Sequence, residues 1–203
     1  MSSPVAPTRI AIIGHQSAGL DAIASSLPTR FSVSVAYADL LHYEFPEFAA
    51  VILAFSAVDG APNSLIDVWD EIANYQIPRA IVITKIDQPD ADFDEAVLIA
   101  RRMFGEGVTP FLVLHTDSGE PCALINLEDL TIRDYSSGRL AIRESDDEHK
   151  TLVKEFRDEF LQEISELEGA RFATGLFVPV IPFSDQLGIG VTEILQYLDE
   201  IVE

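Results

Sequence analysis

Apolar positions in the first half of the chain fall into short continuous runs that alternate with stretches of helical spacing. Arg9–Ile13 (RIAII) is a β-branched run ending at Gly14, which predicts a buried strand feeding a glycine-bearing turn. Leu20–Leu27 predicts a short helix stopped by Pro28, and the alternation of Phe31–Ala36 predicts a half-buried strand. Ala49–Phe55 (AAVILAF) is apolar throughout, the pattern of a strand covered on both faces. After the turn Asp59-Gly60-Ala61-Pro62, residues Leu65, Val68, Trp69 and Ile72 share one helical face. Arg79–Thr84 (RAIVIT) predicts the next buried strand, and Phe93, Val97, Ala100 and Phe104 an amphipathic helix closed by Gly105. Strand and helix alternating in this way predict a parallel-rich α/β sheet.

The pattern then changes. Pro110–His115 and Cys122–Leu127 flank Asp117-Ser118-Gly119, which predicts a hairpin. Asp146–Glu168 predicts one long charged helix with Leu152, Phe156, Phe160, Ile164 and Leu167 as its core stripe. Strand and helix return with Phe177–Pro182 and Val191–Val202. With no repeat and no long linker, residues 1–203 are expected to form a single domain, with about 109–170 as an insertion.

Composition narrows the function classes. The 203 residues are 48% apolar, enough to fill a core. Thirteen Lys and Arg against 34 Asp and Glu leave a net charge of −21, which argues against direct DNA binding through a basic face. The lone Cys122 cannot form an internal disulfide, no Cys/His cluster has zinc spacing, and no metal site is expected. No apolar stretch of about twenty residues suits a membrane span, and Met1-Ser2-Ser3-Pro4 lacks the parts of a secretory signal. A cytoplasmic setting is the expectation.

Candidate chemistry begins at Gly14-His15-Gln16-Ser17-Ala18-Gly19-Leu20-Asp21, between a predicted strand and a predicted helix. The phosphate-binding loop GxxxxGK(S/T) occupies this context, and both glycines are present at its spacing. Leu20 stands where the lysine reaches the phosphates, and Asp21 where a hydroxyl holds magnesium. A charge-assisted hydrogen bond contributes roughly 1.5–3 kcal/mol, so loss of the lysine alone weakens phosphate binding about 10- to 100-fold. Asp21 adds like-charge repulsion and is expected to cap the helix in place of the phosphate.

Thr84-Lys85-Ile86-Asp87 ends a predicted buried strand, where open α/β sheets bind ligands. It matches the (N/T)KxD motif, whose Asp accepts hydrogen bonds from guanine. On these segments the chain resembles the G domain of a translational GTPase, on the elongation factor G-like branch. Ala57-Val58-Asp59-Gly60-Ala61-Pro62 is similar to that family's AVDG turn, and Lys85–Asp94 to its guanine motif and following helix. Asp134-Tyr135-Ser136-Ser137-Gly138 falls in what resembles its inserted subdomain. Val178–Val191, with Ser184-Asp185-Gln186, resembles its last strand, its SA(K/L) loop and the start of its final helix.

The resemblance implies an α/β, P-loop NTPase-like fold: a mostly parallel sheet, helices on both faces, and a shortened inserted hairpin/helix subdomain. It also exposes departures. Only a few residues stand in place of the family's long switch I, and Val33–Ala36, aligned with its DxPG motif before Tyr37-Ala38-Asp39-Leu40, has neither Asp nor Gly. No residue aligns with the catalytic His, and Asp185 replaces the loop Ala. Phosphoryl transfer depends on the lysine, the metal and an oriented water, so hydrolysis is expected to be lost. GTP or GDP binding is expected to be weak or lost and magnesium not retained. The resemblance implies a ribosome or translation-factor partner. The alternative is a GTP/GDP-binding translational GTPase domain, a true enzyme with non-standard phosphate and magnesium ligands, Asp21 among them.

The remaining polar residues have simpler readings. His15 shapes the phosphate loop, His42, His115 and His149 are surface or capping residues, and Cys122 is a small core residue. Trp69 belongs to a buried stripe, and Glu144–Glu148 is a solvated helix start.

Overall fold

A computed structural model describes residues 6–38, 45–167, 169 and 171–202. Asp39, Leu40 and His42, the opening Met1–Pro4, and Glu168 and Ala170 near the end of the insert lie outside the described residues.

Five strands form the central sheet in the order β2-β1-β3-β4-β9. They are β1 (Thr8–Gly14), β2 (Phe31–Tyr37), β3 (Ala50–Ser56), β4 (Arg79–Thr84) and β9 (Val180–Phe183). Every neighbouring pair is parallel. A parallel pair needs a crossover, supplied here by α1 (Leu20–Ser26), α2 (Ser64–Asn74) and α3 (Phe93–Phe104), with α6 (Val191–Asp199) following β9. All seven residues of β3 and all six of β4 are buried. Such strands read as unbroken apolar runs because both of their faces are covered.

Helix ends follow local chemistry. The Asp92 side chain caps α3 by accepting the Glu95 amide at 2.9 Å, and Gly105 ends it at φ +67°. Leu65, Val68, Trp69 and Ile72 are the buried stripe of α2, as their spacing predicts.

Between α3 and β9 the chain builds a separate antiparallel sheet, β5-β6-β7-β8. Its strands are β5 (Phe111–His115), β6 (Pro121–Asn126), β7 (Thr131–Asp134) and β8 (Ala141–Glu144). The insert is thus more than the expected hairpin: β7 and β8 are short strands, TIRD and AIRE, too polar to stand out as apolar runs.

The long helix expected over 146–168 is broken. It divides at Val153 into α4 (Asp147–Leu152) and α5 (Lys154–Glu163). Phe160 and Ile164 are buried, but Leu152 is 70% and Phe156 55% exposed. Val153, where the helix divides, is itself buried, and Ile164 and Leu167 fall beyond the last residue of α5, so tertiary packing overrides the single stripe that the spacing suggests. Cys122 is half-buried rather than a core residue, and its thiol donates to the Leu114 carbonyl at 3.5 Å.

Candidate functional site

The chain crosses from β1 to β2 on one side and then to β3 on the other. Between β1 and β3 the sheet therefore changes direction, and ligands of open α/β sheets bind outside the carboxyl ends at such a point. Gly14, the last residue of β1, pairs with Ala54 there. A Cβ on Gly14 would lie 2.2 Å from the Ala54 carbonyl oxygen and 2.8 Å from Leu20 Cδ2, so only glycine fits.

From Gly14 the chain enters a 3₁₀ turn, Gln16–Ala18, and turns into α1 at Gly19, whose φ is +64°. His15 shapes this turn. Its Nδ1 accepts the Ser17 amide at 3.2 Å and lies 2.9 Å from Ser17 Oγ, while its carbonyl accepts the Ala18 amide at 3.0 Å. Two amides that a phosphate-binding loop directs at its ligand are thus satisfied inside the turn. Ala18 is buried, and Gln16 and Gly19 are exposed. Leu20, at the lysine position, is 1% exposed, with Cδ2 directed at the Gly14 backbone.

Asp21 is exposed in the first turn of α1, and among the described residues its carboxylate has no hydrogen-bond partner. It therefore acts on the helix through its charge alone and does not supply the hydrogen-bonded cap expected of it. Gly19 holds the N-cap position.

Two further segments singled out in the sequence, Thr84–Asp87 and Ser184–Gln186, emerge from the same edge. Thr84 pairs with Ser56 on one side and Phe183 on the other, so the loops after β4 and β9 are neighbours. The strand spacing puts them about 10–15 Å from the Gly14 turn. Thr84 Oγ1 donates to the Phe55 carbonyl at 3.3 Å, anchoring the end of β4. Lys85 takes the left-handed conformation, φ +59°, a sparsely populated one for a lysine. Asp87 is half-exposed and accepts a hydrogen bond from the Gln88 side-chain amide at 3.1 Å. In the last loop Ser184 is fully buried, its hydroxyl accepting the Leu187 amide at 3.2 Å, while Asp185 and Gln186 are exposed. Gly14–Asp21, Thr84–Asp87 and Ser184–Gln186 thus share one edge of the sheet.

Sequence reasoning missed two features. Ser56 Oγ accepts the amides of Val58 and Asp59, each at 3.2 Å, and so builds the turn that ends at Gly60. Strand-final serine before a tight turn is the signal. Glu193, the third residue of α6, accepts the Gly190 amide at 3.0 Å, and its spacing from Gly190 is the corresponding signal. A cavity of about 440 Å3 lies elsewhere, lined by Val97, Leu98, Leu112, Phe156 and Phe160 among others. Among the described residues no helix is long and apolar enough to cross a membrane.

Known proteins resemble this chain in sequence and in fold. Residues 45–203 match the elongation factor Tu GTP binding domain family, a range that begins after the Gly14–Asp21 turn. Elongation factor G-like proteins of two Mycobacterium tuberculosis strains are 34% identical over 171 residues, covering 72% of this chain and 23% of theirs. The mitochondrial ribosome-releasing factor 2 of Drosophila yakuba is 34% identical over 47 residues, 23% of this chain and 7% of that one. A crystal structure from Thermus thermophilus shares the fold at a TM-score of 0.76 and 18% identity, covering 96% of this chain and 40% of that one. The chain thus spans about a quarter of the length of the Mycobacterium proteins it matches. It belongs to the elongation factor Tu GTP-binding domain family.

Proposed function

We propose that this G domain is a pseudo-GTPase: the guanine end of its site is retained, the phosphate end is closed, and it serves as an interaction module. The observation that carries the reading is Leu20. The family's phosphate lysine is replaced by a side chain turned into the core, 1% exposed, against the glycine that a phosphate-binding loop needs open. Three further features support it. The Ser17 and Ala18 amides are engaged by His15. Only Leu27–Arg30 connect α1 to β2, too short a segment to close over a γ-phosphate. No hydroxyl stands at Asp21 to hold magnesium. Positioning and charge stabilisation are nearly all that catalysis of phosphoryl transfer consists of, and these features remove both.

In this reading GTP or GDP is held weakly, through Lys85, Asp87 and the Ser184–Gln186 loop, and magnesium is not held. Residues 1–203 form one such domain, with about 109–170 inserted, working in the cytoplasm. The partner is the ribosome or a translation factor, by analogy with the named relatives. The rival reading, an active GTPase with non-standard phosphate and magnesium ligands, has one observation in its favour: the Asp21 carboxylate is exposed and unpaired among the described residues.

A GTP turnover assay with magnesium, with and without ribosomes, separates the two. The expected phosphate release equals that of GTP alone in both arms. Release stimulated by the protein, and raised again by ribosomes, favours the rival.

A further inference from the structure

Among the described charged side chains Glu193 is the most enclosed, with 0% of its surface exposed. Its carboxylate collects donors from two directions. On its own segment the Gly190 amide donates to Oε2 at 3.0 Å. From the antiparallel sheet Arg133 Nη1 donates to Oε1 at 2.9 Å. The Tyr135 hydroxyl shares its one proton between Oε1 at 2.8 Å and Oε2 at 3.0 Å. Arg133 lies in β7 and Tyr135 directly follows it, so the inserted sheet reaches across to α6 at this carboxylate. Burial and the neighbouring carboxylate push the Tyr135 phenol far above its ordinary range, which keeps it a donor.

Gly190 ends the loop that follows β9. Its φ is +97°, and a Cβ there would lie 2.4 Å from the Pro182 carbonyl oxygen. The loop is closed by the Ser184 amide donating to the Ile189 carbonyl at 3.0 Å, and Asp185 and Gln186 stand exposed at its tip. A buried carboxylate keeps its orientation only while its donors are complete.

We propose that Glu193 is a positioning residue: through Gly190 it fixes the Ser184–Gln186 turn, and the inserted sheet holds it there through Arg133 and Tyr135. The link to guanine rests on the reading that this turn faces the base. A partner that shifts the inserted sheet thereby alters the order of the base-side loop.

Hydrogen exchange on the full chain, without nucleotide, tests this. Tyr135→Phe removes one donor and keeps the ring. The Ser184, Leu187 and Gly190 amides are expected to exchange at least about tenfold faster, matching the loss of one charge-assisted hydrogen bond. Amides of β1 and β3 stay within about twofold of wild type. Glu193→Gln, which also removes a buried charge, gives the same excess in the loop once its rates are taken relative to β1 and β3 of that variant, and if it does not fold, Tyr135→Phe alone decides. Unchanged loop rates overturn the proposal. So do loop rates that rise in step with β1 and β3, because they report general loosening. Since no nucleotide is present, a separate failure to bind guanine overturns the functional reading and leaves this result intact.

Discussion

Replacing Glu193 with alanine is expected to destabilise the protein by about 3–5 kcal/mol, the cost of breaking a buried ion pair by removing one partner. Arg133 is left with its guanidinium over the Phe111 ring, 4.9 Å from the centroid, and with one Gln196 contact at 2.5 Å. Neither carries a compensating charge. The Tyr135 hydroxyl and the Gly190 amide lose their acceptor at the same time, and each orphaned buried group adds desolvation cost. For a chain of this size the melting temperature is expected to fall by roughly 6–20 °C. Circular dichroism melts of wild type and Glu193→Ala measure this. A shift of only a degree or two contradicts the account of the network.

Trp69→Ala is expected to cost a similar amount, about 3–5 kcal/mol. Trp69 is 2% exposed and joins α2 to α3: its Nε1 donates to the Phe104 carbonyl at 3.1 Å, and the two rings lie 5.1 Å apart. The Arg79 guanidinium also stacks on its ring, 5.1 Å from the centroid, and pairs with Glu106 at 2.5 Å. Truncation leaves a cavity, an unpaired carbonyl and a buried cation without its aromatic neighbour. Trp69→Phe keeps most of the volume and loses the hydrogen bond, so its cost is expected to be only about 1–1.5 kcal/mol. Urea unfolding with an unchanged slope resolves the two variants. Equal losses for Ala and Phe contradict the packing argument.

The central sheet was legible because buried parallel strands advertise themselves. RAIVIT is β4 residue for residue, and AAVILAF overlaps β3 with one position of shift at each end. The C-terminal boundary of α3 was legible too, since Gly105 acts locally. The insert was less so. Whether Thr131–Asp134 and Ala141–Glu144 become strands depends on pairing with each other and with β6, which no local pattern encodes. The helix over 146–168 divides at Val153, whose burial belongs to tertiary packing that the stripe's spacing does not contain. In the site, the Gly14 and Gly19 spacing marked the turn correctly, and the missing lysine was visible in Leu20. What the spacing did not contain is that Leu20 points inward and that His15 occupies the turn's own amides. Glu193 stands out in the sequence only by its capping-box spacing from Gly190, and its burial against Arg133 and Tyr135 has no local signal.

The central claim is that the base end of the site survives and the phosphate end does not. Calorimetric titration with guanosine, GDP and GTP, each with and without magnesium, tests it most directly. The account predicts three weak affinities within about threefold of one another, unmoved by magnesium, because no added phosphate gains a contact. GDP binding about 100-fold or more tighter than guanosine, or GTP binding strengthened by magnesium, contradicts the closed phosphate end. No heat with any of the three contradicts the retained base end.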